Sequence, residues 1–297
     1  MKNLIGIYTF LSTHPLTRKN KIAAGWRFFK WQIGTRIFPF PVIYPFVAGT
    51  SLLAKRGMTG ATGNIYAGLH EFEEMGFTLH LLRPGDVFGD IGANIGSYTV
   101  LASGVAGARS LSVEPVRRTF EHLKNNVAVN NLETLVGLYN NGMGEESGKL
   151  CFTRDYDTVN HVITAGEASN IPTEEVDIIT MDALFSTQIP ALIKMDVEGF
   201  ELSVLKGGTH ILEDRRLKAI LIELNDSCDR YGVKEEDIHR LLLSYDFKPV
   251  TYDPLERKLT ELPTHRKHGN TIYIRDEEWV RNRLTSARKI TVSGQVF

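Results

Sequence analysis

Val87-Phe88-Gly89-Asp90-Ile91-Gly92-Ala93-Asn94-Ile95-Gly96-Ser97-Tyr98 is the stretch that sets the fold. A short apolar run meets glycines, and the apolar spacing of residues 95–106 behind it predicts a helix. Strand, Gly-rich turn and helix form the opening unit of a nucleotide-binding α/β sheet. The glycines let the backbone approach a ligand, and the helix amino terminus presents unpaired N–H groups. The dinucleotide fingerprint is G-x-G-x-x-G, whereas this chain carries Asp90-x-Gly92-x-Asn94-x-Gly96. A carboxylate at the strand end repels a pyrophosphate and suits an ammonium group. S-adenosylmethionine offers an ammonium, a carboxylate and a sulfonium, and it has no phosphate. Asp90, Gly92, Asn94 and Gly96 are therefore cofactor-binding candidates.

Working outward, the alternation of strand and helix continues. Residues 108–115 read as a strand that stops at Pro115, and Val116, Phe120, Leu123 and Val127 lie at helical spacing in the segment after it. Residues 135–140, 176–184 and 191–197 read as strands. A helix follows Gly199, and 217–224 has the nearly continuous apolar run of a strand covered on both faces. A helix over 234–247 and a strand over 270–276 close the series. The pattern predicts a doubly wound, mostly parallel sheet of seven strands. Residues 142–175 break the rhythm and read as an inserted hairpin and loop. Glu114, 24 residues after Asp90, ends the second strand, where an acidic side chain can accept both hydrogen bonds of a ribose diol.

These motifs together carry a resemblance. DIGANIGSYT, SVEP, IKMDVEGFELSVLKGG and ILIELN are similar to the corresponding motifs of FkbM-type S-adenosylmethionine-dependent methyltransferases, with residues 80–225 the best matched. The resemblance implies the Rossmann-like class I methyltransferase fold, its last strand antiparallel. It also implies O-methylation of a hydroxyl on a sugar or natural product. The expected division is an amino-terminal helical or hairpin cap over 1–80 and a methyltransferase domain over 81–297.

Methyl transfer is an in-line displacement that depends on alignment of donor and acceptor. Asp196, in Lys194-Met195-Asp196-Val197-Glu198-Gly199-Phe200-Glu201, sits where a transferred methyl would meet its acceptor. Glu198 and Glu201 are nearby acids, Glu201 also suiting its helix's amino terminus. Asp196 with Glu223 and Asn225 at the next strand end would present oxygen ligands to magnesium. A hydroxyl acceptor must lose its proton, and His161 (beside Asn160 and Asp157) and His70 are the candidate bases. Tyr66, Glu71 and Glu74 are candidates for the acceptor side. Asn141 and Met143 follow the third strand, where an adenine would lie, and Asp182 is a further candidate at the same edge.

The composition is that of a globular chain: 297 residues, 42% hydrophobic and 23% charged. Two cysteines are too few for a disulfide framework or a cysteine-built zinc site, which suits a reducing, cytoplasmic setting. The charge-free run 37–54 contains Pro39, Pro41 and Pro45, so a strand and turn are expected there rather than a spanning helix. Neither the N/D-P-P-Y/F motif nor the Pro-Cys dipeptide of nucleic-acid methyltransferases occurs, so nucleic acid is not expected as substrate. An NAD-type oxidoreductase and a non-catalytic S-adenosylmethionine-binding protein are the alternatives. The net charge of −1 conceals a division: residues 1–70 hold nine Lys or Arg and no Asp or Glu, against 25 basic and 35 acidic residues in the remainder. Residues 1–56 are thus expected either to be attracted to the acidic core or to meet an anionic membrane or lipid-linked substrate.

Overall fold

In the computed structural model, which describes residues 2–154, 160–164, 171–267 and 269–297, the chain opens with two helices, α1 (Lys2–Thr13) and α2 (Lys21–Ile37). Asn20 starts α2 by accepting the Ala23 N–H at 3.1 Å, an N-cap that satisfies a free helix donor. The charge-free run is a hairpin, β1 (Val42–Pro45) against β2 (Ser51–Ala54), and forms its own two-stranded sheet. No described helix is long and apolar enough to cross a membrane. Helices α3 (Thr59–Ala67) and α4 (Phe72–Leu81) follow. Leu11, Ala24, Trp31, Ala54, Met58 and Ile65 form a small core joining α1, α2, the hairpin and α3. By contrast α4 buries Phe72, Met75, Phe77 and Leu79 in the core of the main sheet.

The main sheet begins with β3 (Val87–Ile91). The helix expected over 95–106 is a single α turn, α5 (Ser97–Thr99), that widens into a π turn over Val100–Val105. Next come β4 (Arg109–Val113), α6 (Arg117–Val129) and β5 (Val136–Tyr139). Asn126 on α6 and Asn130 at its carboxyl end accept the Leu53 and Ser51 N–H groups at 2.6 and 2.8 Å, so this helix and its cap satisfy the edge of the amino-terminal hairpin. The interrupting segment holds β6 (Gly142–Met143), β7 (Gly148–Thr153) and β8 (Thr173–Ile179), which form a separate three-stranded sheet. Asp157 and its neighbours Thr158 and Val159 lie outside the described residues.

The run 176–184 thus does not join the main sheet. Residues 173–179 alternate between exposed and buried, as suits a sheet with one wet face, and only Val176 and Ile178 turn inward to Leu150, Phe152 and Val162. Its end becomes α7 (Met181–Leu184), capped by Thr180, whose Oγ1 accepts the Ala183 N–H. The main sheet continues with β9 (Leu192–Met195), α8 (Glu201–Lys206), α9 (Thr209–Glu213), β10 (Ala219–Glu223) and α10 (Glu235–Ser244). It ends with β11 (Lys248–Asp253), β12 (Lys258–Glu261), β13 (Asn270–Ile274) and α11 (Glu277–Thr285).

The sheet has eight strands rather than seven, in the order β12-β11-β13-β10-β9-β3-β4-β5. β10, β9, β3, β4 and β5 are parallel, and β13 runs antiparallel to β10, as the resemblance implies. Alternating residues feed two layers. Leu192 and Leu221 pack with α4, the π turn and α11, while Ile193 and Ile220 pack with α8, α9 and α10. The chain leaves β3 toward β4 and later returns to β9 on its other side. The carboxyl ends of β3 and β9 therefore flank the topological switch point, where doubly wound folds bind ligands.

Candidate active site

A cavity of about 510 Å³ opens at this switch point. The loops after β3, β4, β5, β9 and β10 line it from the sheet, and Thr59, Gly60, Asn64, His70, Glu71 and Met75 line it from the amino-terminal side. Of the described lining residues, five are carboxylic acids (Glu71, Glu114, Asp196, Glu198 and Glu223), one is Lys194 and none is arginine. Such a wall favours a cation and offers little to a pyrophosphate.

The first turn is built by close approach. Gly92 has φ +75°, and a Cβ on it would lie 1.8 Å from the Asp196 carbonyl oxygen, so only glycine lets the β3 and β9 loops meet. Asn94 lines the cavity with φ +51°, and its N–H donates to Glu114 Oε2 at 2.9 Å. The Val116 N–H donates to Glu114 Oε1 at 3.1 Å. Burial pushes the Glu114 carboxyl up to about 7, against the pull of these two donors. Asn141 and Met143 also line the cavity. Gly96 does not; it packs against Leu123 beneath the loop.

Asp90 is placed differently from its expected role. It lies inside β3, is 1% exposed and is absent from the cavity wall. Thr99 Oγ1 donates to Asp90 Oδ2 at 2.5 Å, while Oδ1 has no protein partner among the described residues. Burial raises its pKa, and the Lys194 charge opposes that rise. Asp90 therefore lies beneath the site and not in its wall.

The second turn supplies a row of polar groups. Lys194 Nζ donates to Asp196 Oδ2 at 2.9 Å and stands 5.5 Å from the centre of the Tyr98 ring. Tyr98 Oη donates to Glu71 Oε2 at 2.6 Å. Burial works against the Lys194 ammonium, but Asp196, Asp90 and Glu71 outweigh it and hold the pKa above the ordinary lysine range. Burial, then the charge of Asp196, pushes Glu223 up to about 7. Burial followed by Asp196 and Glu223 pushes Glu198 up to about 8. Glu201 stands behind this wall and fixes the loop by accepting the Val197 and Gly199 N–H groups at 3.2 and 3.1 Å.

Asp196, Glu223 and Asn225, the candidate magnesium ligands, all line the cavity. An ammonium already bonds Asp196, and no group of three or more His, Cys, Asp or Glu is gathered as metal ligands among the described residues. His70 is exposed at the wall of the cavity, whereas His161 is not in the wall. Residue 162 bridges to Phe152, and in this extended run Asn160 and Val162 reach the cavity while His161 turns to the other side. Glu71 is the one of the three acceptor-side candidates in the wall. Tyr66 instead receives Gln32 Nε2 at 2.6 Å, and Glu74 pairs with Arg266 at 3.1 Å. Asp182 caps α9 through the Ile211 N–H and lies outside the cavity.

Sequence reading missed the Tyr98–Lys194 contact and the lining role of Asn64, Phe152 and Ser227. Lys194 alone left a signal, as a cation inside an apolar strand run with Asp196 two residues on.

Residues 90–249 match the methyltransferase FkbM domain. Over 159 residues the chain is 29% identical to the hexuronic acid methyltransferase AglP of Haloferax volcanii, covering 53% of this chain and 61% of that protein. The match thus spans about three-fifths of the relative's length. The crystal structure of the methyltransferase FkbM from Methylobacillus flagellatus KT is similar with a TM-score of 0.45 and 21% identity, over 72% of this chain and 52% of that chain. The family match takes in more than half of the sequence and all the strand ends that line the cavity: the chain belongs to the FkbM methyltransferase family.

Proposed function

We propose that this protein transfers a methyl group from S-adenosylmethionine to a hydroxyl of a sugar, with hexuronic acid residues of a glycan as the first acceptor class to test. The observation that carries the reading is the wall of five carboxylic acids and one ammonium at the switch point of the sheet. It suits a cationic, phosphate-free cofactor better than a dinucleotide. The sugar class rests on the name of the Haloferax volcanii relative. When bound, the cofactor supplies an electrophilic methyl group on a sulfonium centre.

The chain's own residues do the rest. The main chain of Gly92 to Asn94 approaches the amino-acid end, and Glu114, held by two N–H donors, takes the ribose hydroxyls. Asn141 and Met143 face the base. Asp196, oriented by Lys194, positions the acceptor hydroxyl. Glu223, in the same wall as Asp196 and raised by burial to about 7, is the proton acceptor. Glu198 adds negative charge to the same wall, and His70 is the second candidate base.

Titration calorimetry tests the cofactor. S-adenosylhomocysteine is expected to bind in the micromolar range with no heat from NAD. Binding of NAD and none of S-adenosylhomocysteine rejects the proposal.

A further inference from the structure

The amino-terminal helices and hairpin expose an apolar surface with no use in the cavity. Among the described residues, eleven of the thirteen exposed large apolar side chains lie between Ile5 and Ile43. On α2 they fall at helical spacing: Ile22, Trp26, Phe29, Ile33 and Ile37, at offsets 0, 4, 7, 11 and 15. Ile22 is 89% exposed and Ile37 68%, while the opposite face buries Ala24, Trp31 and Thr35 in the small core. The outward stripe is therefore additional to the stripe that folds the helix. Phe38, Phe40 and Ile43 continue it onto the hairpin. A groove of about 550 Å³ runs between α2 and β1, walled by Trp26, Trp31, Phe38, Val42 and Tyr44.

Cations frame this surface. Arg18, Lys19, Lys21, Lys30, Arg36 and Arg56 are exposed, and residues 1–70 contain no acid. By helical phase Lys30 and Arg36 fall on opposite flanks of the α2 stripe, and Lys30 Nζ lies 5.3 Å from the Trp26 ring centre. A cation beside an interfacial tryptophan, over an apolar stripe, is the arrangement by which a helix lies in the headgroup layer.

We infer that the outer face of α2 and the hairpin docks this protein on an anionic lipid bilayer. Apolar side chains enter the boundary of the acyl region, and the flanking Lys and Arg meet lipid phosphates. A second copy fits poorly, since an isologous contact would set one cationic face against another. An acidic protein partner seated in the groove would leave Ile22, Phe29, Ile33, Ile37 and Phe40, none of which line it, in water. Behind this face α2 is tied to α3, where Arg27 Nε donates to the Tyr66 carbonyl at 3.0 Å. Because α3 contributes Thr59, Gly60 and Asn64 to the cavity wall, docking would hold the cavity close above the headgroups.

Sedimentation of the full chain with vesicles tests this without reference to methyl transfer. One set is phosphatidylcholine, and the other is phosphatidylcholine with phosphatidylglycerol. The wild-type chain is expected to sediment with the anionic vesicles, more weakly with the neutral ones, and less as salt is raised. The triple variant Trp26→Ser, Phe29→Ser, Ile33→Ser should bind about tenfold more weakly. Charge reversal at Lys21, Lys30 and Arg36 to Glu should do the same while leaving the melting temperature unchanged. That second variant decides the matter if the first does not fold. Absence of the wild-type chain from anionic pellets, equal binding by the charge-reversed variant, or equal binding to both lipid sets overturns the inference. So does self-association that the serine variant abolishes while vesicles have no effect.

Discussion

The cavity and the outer face of α2 stand on either side of α3 and differ in almost every physical respect. One is a cavity with five carboxylic acids in its wall; the other is an outward face with cations spread around exposed apolar side chains. In the cavity, burial first and the neighbouring acidic charges second push Glu223 and Glu198 up to about 7 and about 8. On the outer face the charges are separated and wet, where single ion pairs contribute little and only their sum matters. Changes to the cavity should therefore act locally and strongly, and changes to the face weakly and additively.

The sharpest way to break this contrast is at Asp196. Asp196→Asn keeps the side-chain shape but removes the charge opposite Lys194. Turnover should fall about a thousandfold, while S-adenosylhomocysteine affinity measured by calorimetry changes little. Gly92→Ala comes next: the added methyl has no room against the Asp196 carbonyl, so cofactor affinity should fall about a hundredfold and the melting temperature should drop. Glu114→Gln replaces a charged acceptor of two main-chain N–H bonds. Its loss should weaken S-adenosylhomocysteine about tenfold in the same titration.

A smaller effect concerns pH. Glu114, Glu223 and Glu198 have folded pKa values of about 7, 7 and 8, above those of an unfolded glutamate. Between pH 5 and 8 the folded chain thus holds protons that the unfolded chain has lost, and stability falls as pH rises through that window. Thermal melting of the unliganded protein should show this decline. Glu223→Gln should lessen it, leaving the part that Glu114 and Glu198 set, and a cationic ligand should restore more stability at pH 8 than at pH 6. The three α2 substitutions, by contrast, should leave all of these cavity measurements unchanged.

Much of this contrast was legible in the sequence, for definite reasons. Gly92, Asn94, Glu114 and Asp196 stand at strand ends, and a parallel sheet carries all such ends to one edge, so periodicity alone brings them together. Asp90 and His161 resisted reading because their placement depends on side-chain direction. One residue along a strand exchanges wall for core, and a motif does not reveal which way an inserted loop alternates. The main sheet was misread at 176–184, where an apolar run pairs with a local hairpin instead. Its two unread members are β11 and β12, and Pro249 in β11 breaks the apolar signal of a strand. The amino-terminal charge imbalance was visible in the sequence, but the exposed stripe on α2 required knowing which of its two apolar faces is buried.

The central claim is methyl transfer within the acidic cavity, and product analysis tests it most directly. The purified chain, incubated with S-adenosylmethionine and glycans bearing hexuronic acid, should yield an acceptor heavier by one methyl group by mass spectrometry, with fragmentation locating it on a hydroxyl oxygen. Asp196→Asn should yield almost none. Unchanged acceptors across sugar panels, from protein that still binds S-adenosylhomocysteine, would contradict the account.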